Sequence, residues 1–244
     1  MVIVSADEPL AHRMVSAIRS GDVAWLQTTL HGRPELAAAR IATGKGGART
    51  PLHVATDWPG YFPHAPAVVR LLIDAGADPN AAIGDPPSET PLHWAASSDD
   101  VDVADSLIDG GADLEARGAS IAGGPPLDNA VGYGCWHVAR RLVERGARVE
   151  ALWHAAALGM LTRIEALLAR KPTPTTDDLN EAFWQACHGG QRRVAEYLLG
   201  LGADLNAMPD YTASTPLDIA GSLDTRREAL TTWLRDHGAR PTTR

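Results

Sequence analysis

Histidine and carboxylate side chains that could transfer protons lie close together at one point of the sequence. The segment TPLHWAASSDD, from Thr90 to Asp100, contains His93, Trp94 and Asp99 as well as its terminal aspartate. Histidine titrates near neutral pH and can act as a base, an acid or a metal ligand, and a nearby carboxylate can orient it. These residues could belong to an enzyme, but they could equally belong to a structural repeat.

Two other histidines, His154 and His188, are the better candidates for acid–base chemistry. Together with Asp57, as the carboxylate that orients them or carries charge, they form the set that an enzymatic interpretation needs. Cys187 directly precedes His188, but consecutive residues of a helix do not face each other, so a Cys–His pair is weakly supported. No Ser–His–Asp arrangement and no metal-ligand spacing can be assembled, and we predict neither a cofactor nor a metal site.

The composition narrows the classes of partner. The chain has 244 residues and a formal net charge of −8, which argues against nucleic acid as a partner and favours a basic or neutral one. Of its 22 basic residues only Lys45 and Lys171 are lysines, which leaves 20 arginines. Arginine side chains favour planar pairing with carboxylates.

The sequence also bears on the compartment. The N-terminal residues do not resemble a signal peptide, and no apolar stretch approaches the length of a membrane span. The two cysteines, Cys135 and Cys187, lie 52 residues apart, and nothing supports a disulfide between them. We therefore expect a cytoplasmic protein with no membrane partner, and the arginine-heavy, alanine-rich usage suggests a bacterial source.

The candidate residues belong to a sequence that repeats itself. Four segments share one pattern, TPLHVA at 50–55, TPLHWA at 90–95, PPLDNA at 125–130 and TPLDIA at 215–220. A Gly-Ala pair follows each of them, at positions 76, 111, 146 and 238, and another occurs at 202. Counting from these pairs places unit starts at 50, 90, 125, 150, 181 and 215, with spacings of 40, 35, 25, 31 and 34 residues.

This pattern resembles the ankyrin repeat family, and the resemblance covers nearly the whole chain. It implies an all-α fold with short β-turn fingers, an ankyrin solenoid of about six to seven helix pairs. We predict a single domain over residues 1–244, with an atypical N-terminal capping repeat at 10–48, central repeats at 49–214 and a C-terminal capping repeat at 215–244.

The repeated letters have physical reasons. The threonine can cap the first helix, and the following proline fits its first turn because that position needs no N–H donor. The glycine before alanine ends the second helix in a left-handed turn. The resemblance implies that His53 and His93 hydrogen-bond the scaffold through the motif threonine. Trp153 and Trp184 occupy the same motif position and are expected to substitute for the histidine structurally.

Other side chains of the first helix should face the concave groove, which is the usual binding surface of the family. Counting each unit from its threonine, positions five and eight are about one turn apart and should share that face. Position five gives Val54, Trp94, Asn129, His154 and Gln185, and position eight gives Asp57, Ser97, Gly132, Ala157 and His188. The small residues in the middle suggest a pocket.

A long turn in the first full unit is a further candidate. Residues 57–66, DWPGYFPHAP, replace a turn of a few residues and carry Trp58 and Tyr61. Function concentrates on such loops, although this one could simply fold onto its own helices. Trp136 falls near an exposed position of the inner layer, and Asp99 could either cap the next helix or contribute to binding.

Two functions remain open at this stage. The leading one is recognition of a protein segment or peptide by the groove and the 57–66 loop, because rigid aromatic anchors among polar groups suit the centre of an interface. The alternative is a small-molecule-binding or enzymatic pocket, with His154 or His188 as acid or base, Asp57 as carboxylate and tryptophans as walls. A purely structural spacer would leave the exposed tryptophans unexplained.

Overall fold

The computed structural model describes residues 2–5, 7–43, 47–84, 88–222 and 227–242. The chain forms two compact units, Met1–Ala147 and Arg148–Arg244. Each unit consists mainly of pairs of short α-helices, and the described residues contain seven such pairs. The predicted all-α class with short β segments is confirmed.

Unit 1 contains four helix pairs and a small sheet. The helices are α1 (Pro9–Ser20), α2 (Val23–Gly32), α3 (Pro51–Ala55), α4 (Ala65–Asp74), α5 (Pro91–Ser97), α6 (Val101–Asp109), α7 (Pro126–Gly132) and α8 (Trp136–Glu144). A 3₁₀ helix spans Pro34–Ala38. The odd-numbered helices form an inner layer, in which α1 packs on α3 and α5 on α7, and the even-numbered helices form an outer layer.

The sheet of unit 1 is an N-terminal feature that the sequence analysis missed. Strand β1 (Ile3–Val4) pairs in parallel with β2 (Arg40–Ala42), which pairs antiparallel with β3 (Ala48–Arg49). These strands are two or three residues long, too short to show a recognisable period in the sequence. The sheet joins the residues before α1 to the segment between the 3₁₀ helix and α3.

Unit 2 contains three helix pairs. They are α9 (Leu152–Ala157) with α10 (Leu161–Leu168), α11 (Thr176–His188) with α12 (Arg192–Gly200), and α13 (Pro216–Ala220) with α14 (Glu228–Asp236). Helix α11 begins well before the predicted unit start at 181, because Thr175 and Asp178 form a capping box with each other's backbone N–H groups.

The repeated motif forms its helices as its chemistry predicts. The Oγ1 of Thr50 accepts a hydrogen bond from the backbone N–H of His53 at 3.2 Å, which caps α3. Gly76, at the end of an outer helix, has a φ of 101°, in the left-handed region where glycine has no Cβ penalty. The third position of the first three repeat motifs is a fully buried leucine, Leu52, Leu92 and Leu127.

Candidate functional site

The motif histidines of unit 1 hold the scaffold together, as expected. The Nε2 of His53 lies 3.1 Å from the carbonyl oxygen of Glu89, and its Nδ1 lies 2.7 Å from the Oγ1 of Thr50. Because a carbonyl can only accept, Nε2 carries the proton and Nδ1 accepts from the threonine. Burial lowers the pKa of His53 to about 3. The ring is therefore neutral and structural at pH 7.

His93 repeats the arrangement one unit later. Its Nδ1 accepts from the backbone N–H of Thr90 at 3.1 Å, and its Nε2 lies 3.3 Å from the carbonyl oxygen of Gly124. Burial lowers the pKa of His93 as well. In both repeats the histidine links its own threonine to the residue just before the next repeat motif. Neither ring is therefore available for catalysis.

Trp184 performs the same task in unit 2 with a different side chain. It is buried, and its indole Nε1–H donates to the carbonyl oxygen of Ser214 at 2.8 Å. Ser214 precedes Thr215 just as Glu89 precedes Thr90. The prediction that Trp184 substitutes structurally for the motif histidine is confirmed.

The two candidate catalytic histidines are buried. His154 and His188 expose only 3% and 7% of their surface, so the interpretation of both as solvent-facing is wrong. The reason is the close approach of α9 and α11, where a Cβ on Gly189 would lie 2.0 Å from the carbonyl oxygen of Ala157. The His154 ring lies 3.9 Å from the ring of Trp153, centroid to centroid, and the Nδ1 of His188 lies 3.3 Å from the Oε1 of Gln185.

The remaining residues at position five also lie beneath the surface, except for Trp94. Val54, Asn129 and Gln185 are buried, so the prediction that they line a solvent-open wall is wrong. Position five points into the contact between successive inner helices. The Nδ2 of Asn129, for example, reaches the carbonyl oxygen of His93 on the neighbouring helix at 3.4 Å.

The 57–66 turn is ordered by contacts on both sides. The backbone N–H of Tyr61 donates to the Oδ2 of Asp100 at 2.7 Å, and the Tyr61 hydroxyl donates to the carbonyl oxygen of Asp99. On the opposite side, Pro63 lies so close to Gly21 that a Cβ there would approach the Pro63 carbonyl oxygen to 2.0 Å. The turn therefore docks onto the turns of the preceding and following repeats.

Docking of the turn leaves its aromatic side chains at the surface. Trp58 is 77% exposed and Tyr61 is 66% exposed. Gly60, between them, has a φ of 76°, and a Cβ there would lie 3.0 Å from the Cβ of Ser98. The turn both packs on the scaffold and presents Trp58 on rigid backbone.

Asp57, at the start of this turn, is neutralised by two arginines. Its Oδ2 accepts from the guanidinium groups of Arg19 at 2.5 Å and Arg49 at 2.6 Å. Only 17% of the Asp57 side chain is exposed. This carboxylate lies in unit 1, whereas His154 and His188 lie in unit 2.

Trp94 is the position-five residue that reaches the surface. It is half-buried, and its indole Nε1–H donates to the Oε2 of Glu89 at 3.0 Å. The edge of its ring meets His53, with centroids 5.1 Å apart and an interplanar angle of 84°. The Arg49 guanidinium carbon lies 5.2 Å from the centroid of the Trp94 ring. These contacts fix the orientation of the indole.

Glu89 connects three consecutive segments of the inner surface. Besides Trp94, its carboxylate accepts from the Nδ2 of Asn129 at 2.6 Å and from the backbone N–H of Ser120 at 3.0 Å, both on Oε1. The Ser120 hydroxyl in turn donates to the Oδ1 of Asn129 and lies 3.2 Å from the Tyr133 hydroxyl. The carboxylate thus connects the segment before α5 to the segment before α7.

These side chains surround one cavity of unit 1, with a volume of about 210 Å³. Its lining consists of Thr56, Asp57, Trp58, Glu89, Trp94, Ser97, Ser98, Ser120 and Tyr133. The structure therefore brings together four of the predicted binding residues, Asp57, Trp58, Trp94 and Ser97. We call this the aromatic cavity, after its three aromatic rings. An engineered cavity of about 150 Å³ holds a benzene ring, so this one has room for a single large side chain.

Sequence reasoning missed three important members of the cavity, Glu89, Ser120 and Tyr133. Tyr133 could have been found, because Trp58, Ser98 and Tyr133 all occupy position nine of their units, one residue beyond the last position compared. Glu89 directly precedes the repeat motif, where its side-chain direction depends on the finger. Nothing in the sequence indicates that Ser120 would offer its backbone N–H to that carboxylate.

Part of the chain resembles a known repeat family. Residues 64–151 match the family model for ankyrin repeats, in three copies. The match covers 88 of the 244 residues. It is also similar to the crystal structure of the human ASB11 ankyrin repeat domain, with 24% identity over 79% of this chain and 85% of that chain, at a TM-score of 0.45. No match was found among curated proteins. Ankyrin repeats generally mediate protein–protein interactions and are typically not enzymes.

Other predicted binding residues lie outside the aromatic cavity. Asp99, with a φ of 55°, accepts from the backbone N–H of Val138 at 2.9 Å and pairs with the Nδ1 of His137 at 2.7 Å. It holds the start of α8, so its contribution is at least partly structural. Trp136 is half-buried and begins that outer helix. Gln185 donates from Nε2 to the Tyr211 hydroxyl at 3.2 Å.

Unit 2 has a cavity of a different kind. About 340 Å³ in volume, it is lined by Asp177, Asp178, Asn180, Glu181, Ala207, Met208, Pro209, Asp210 and Tyr211. Burial raises the pKa of Glu181, which accepts from the Tyr211 hydroxyl at 3.4 Å. Within the described ranges, no group of three or more histidine, cysteine, aspartate or glutamate side chains could hold a metal ion, and no helix is long and apolar enough to cross a bilayer.

Proposed function

We propose that this protein recognises a segment of a partner protein or a peptide through the inner face of unit 1, with the aromatic cavity as its anchor site. The observation that carries the proposal is the position of Trp58. A tryptophan that is 77% exposed stands on a turn fixed from both sides, at the rim of a cavity that Trp94 and Tyr133 also line. A side chain exposed to this extent contributes little to the stability of the free protein.

The physics of interfaces supports this role for the cavity. A few aromatic residues in a desolvated pocket supply most of the binding energy of an interface, and polar groups around them exclude water. Here three aromatic side chains surround a space for one side chain, and Ser97, Ser98 and Ser120 border it. Because the turn and the Trp94 indole are already fixed by hydrogen bonds, little conformational entropy would be lost on binding.

The proposal assigns different roles to the residues that the sequence analysis grouped together. Trp58 and Trp94 would contact the partner directly, and Tyr61 would extend the contact along the turn. Asn129 would act by positioning Glu89, because it is buried beneath the cavity. We further propose that the protein acts in a reducing, cytoplasmic compartment, where a buried thiol such as that of Cys187 stays reduced.

The test is selection of peptides from a random displayed library on the immobilised protein. Enriched peptides are then titrated calorimetrically against the wild type, Trp58→Ala and Leu201→Ala. Leu201 is an exposed apolar residue in unit 2 and serves as the matched control. We expect Trp58→Ala to weaken binding by about tenfold or more, which corresponds to about 1.4 kcal/mol, and Leu201→Ala to leave it unchanged. Peptides that bind Trp58→Ala as tightly as the wild type would rule the site out.

A further inference from the structure

Glu89 is held by donors that carry no charge. Its three hydrogen bonds come from the Trp94 indole, the Asn129 amide and the Ser120 backbone N–H. These bonds fix both carboxylate oxygens in place, but none of the donors supplies a compensating positive charge. The half-buried carboxylate of Glu89 therefore has a fixed position in the wall of the cavity.

Glu89 has no counterion in the described part of the chain, because the ion pairs found there join other residues. The contrast with Asp57 is direct, because Asp57 lines the same cavity and is paired with two arginines. His93 interacts electrostatically with Glu89, but burial lowers the pKa of His93, so its ring is neutral at pH 7. Arg49 lines a neighbouring cavity together with Glu89 and Trp94, but its guanidinium pairs with Asp57 at 2.6 Å. Among the described residues, the Glu89 carboxylate therefore forms no ion pair.

We propose that the aromatic cavity binds a cationic side chain, the ammonium of lysine or the guanidinium of arginine, with Glu89 as its counterion. This inference rests on the proposed function, in which the cation is part of the partner segment. A partially desolvated charge gains most from a partner of opposite sign, and Glu89 is already oriented for one. No basic residue lines the cavity.

The aromatic rings favour the same occupant. The faces of tryptophan and tyrosine rings attract cations, with tryptophan the strongest, and the attraction grows as the site loses water. Trp58, Trp94 and Tyr133 all line the cavity. Unit 1 already contains one cation–π contact of this kind, in which the Arg49 guanidinium lies over the Trp94 ring. The same guanidinium pairs with Asp57. The net charge of −8 favours approach of a basic segment as well.

The experiment uses three capped pentapeptides, acetyl-Gly-Gly-Xaa-Gly-Gly-amide, in which Xaa is lysine, arginine or norleucine. Norleucine keeps an unbranched apolar chain but removes the charge. Titration into ¹⁵N-labelled full-length protein follows the indole N–H resonances, with Trp58→Phe and Trp94→Phe used to assign them. We expect the cationic peptides to bind about tenfold more tightly than the norleucine peptide, and to shift the Trp58 and Trp94 signals.

Two variants separate the charge of Glu89 from the net charge of the chain. Glu89→Gln should reduce the preference for the cationic peptides over norleucine to about one. Glu165→Gln removes the same charge from an exposed position in unit 2 and should preserve that preference. If Glu89→Gln does not fold, the salt dependence of binding to the wild type provides the test. About 0.5 M NaCl should weaken the binding of the cationic peptides severalfold and leave the binding of the norleucine peptide unchanged.

The outcomes distinguish this inference from the function on which it rests. Norleucine binding as tightly as lysine and arginine would overturn the cationic assignment and leave recognition of a segment in place. Loss of cation preference in Glu165→Gln to the same extent as in Glu89→Gln would also overturn it, because the effect would then come from the net charge. Library peptides that bind independently of Trp58 would instead remove the proposed function.

Discussion

Trp184 in unit 2 and Trp94 in unit 1 both lie on inner helices, at motif positions four and five. Their side chains have different surroundings. Trp184 occupies the motif histidine position, is buried, and donates to the backbone carbonyl of Ser214. Trp94 follows the motif histidine, is half-buried, and donates to the side chain of Glu89. One step along a helix turns the side chain by about 100°, which here separates a scaffold residue from a residue at the surface.

The comparison shows how a repeat scaffold can carry a site at little structural cost. The histidine or tryptophan at position four joins neighbouring units, so its replacement should affect stability. Trp94 at position five and Trp58 at position nine reach the surface, so their replacement should affect binding more than stability. The following predictions test this separation, in order of decreasing effect on the free energy of unfolding.

The largest effect is expected for Trp184→Ala. Removal of a buried tryptophan creates a cavity and leaves the Ser214 carbonyl without its donor, and we expect a loss of about 3–5 kcal/mol. Urea unfolding followed by circular dichroism measures it. The control is Trp184→Phe, which retains most of the packing and should lose only about 1–3 kcal/mol. Equal losses in the two variants would show that packing does not contribute to the role of Trp184.

The motif histidines of unit 1 should make its stability depend on pH. The folded-state pKa of His53 is about 3, below the unfolded value near 6.5, so the unfolded state takes up protons first as the pH falls. The stabilisation is complete above about pH 6.5 and is lost progressively toward pH 3. We expect about 2 kcal/mol to be lost by pH 5 from His53 alone.

The measurement is the free energy of urea unfolding at intervals between pH 7 and pH 5. Burial acts to raise the pKa of Asp218, but hydrogen bonds from Thr242 and Thr215 lower it to about 2, so its titration falls below this window. Burial raises the pKa of Glu181, but Glu181 is present in the wild type and in His53→Gln, so the difference between these two proteins reports on His53. His53→Gln should flatten the dependence of the unfolding free energy on pH. Trp184→Phe, a substitution that removes no titrating group, should preserve it. An unchanged slope in His53→Gln would contradict the assignment.

Much of the fold could be predicted because the repeat motif encodes it locally. Thr50 caps the first helix, Pro51 fixes φ in its first turn, and Gly76 permits the left-handed turn that ends the second helix. The leucines and alanines between them mark the buried face. The strands of the first repeat were missed, because a two-residue strand is stabilised by its partner and leaves no period in the sequence.

The candidate site was harder to predict than the fold. Position five was assigned to the groove by helical geometry alone, yet Asn129 and His154 are buried there because the neighbouring inner helices pack closely against them. Burial at such a position depends on the distance between helices, which no single unit specifies. Trp94 differs because Glu89 and the Trp58 turn hold its indole at the rim of a cavity.

A smaller effect is expected for Trp94→Phe. Phenylalanine preserves the aromatic packing against His53 but cannot donate to Glu89, and a hydrogen bond to a charged group contributes about 1.5–3 kcal/mol. Because the site is half-buried and water can replace the donor, we expect a loss near 1 kcal/mol, measured by urea unfolding. Partner binding should fall much more than stability does. A loss as large as that of Trp184→Ala would place Trp94 in the core.

The smallest effect on stability is expected for Trp58→Ala, which should change the free energy of unfolding by no more than about 0.5 kcal/mol. The reason is that the turn is fixed through the backbone of Tyr61 and Pro63, while the Trp58 side chain extends into solvent. The same variant should lose about tenfold or more in affinity for selected peptides. This large effect on binding without a matching effect on stability is what separates a recognition residue from Trp184. A Trp58→Ala protein destabilised by 2 kcal/mol or more would instead make the tryptophan a clamp for its own turn.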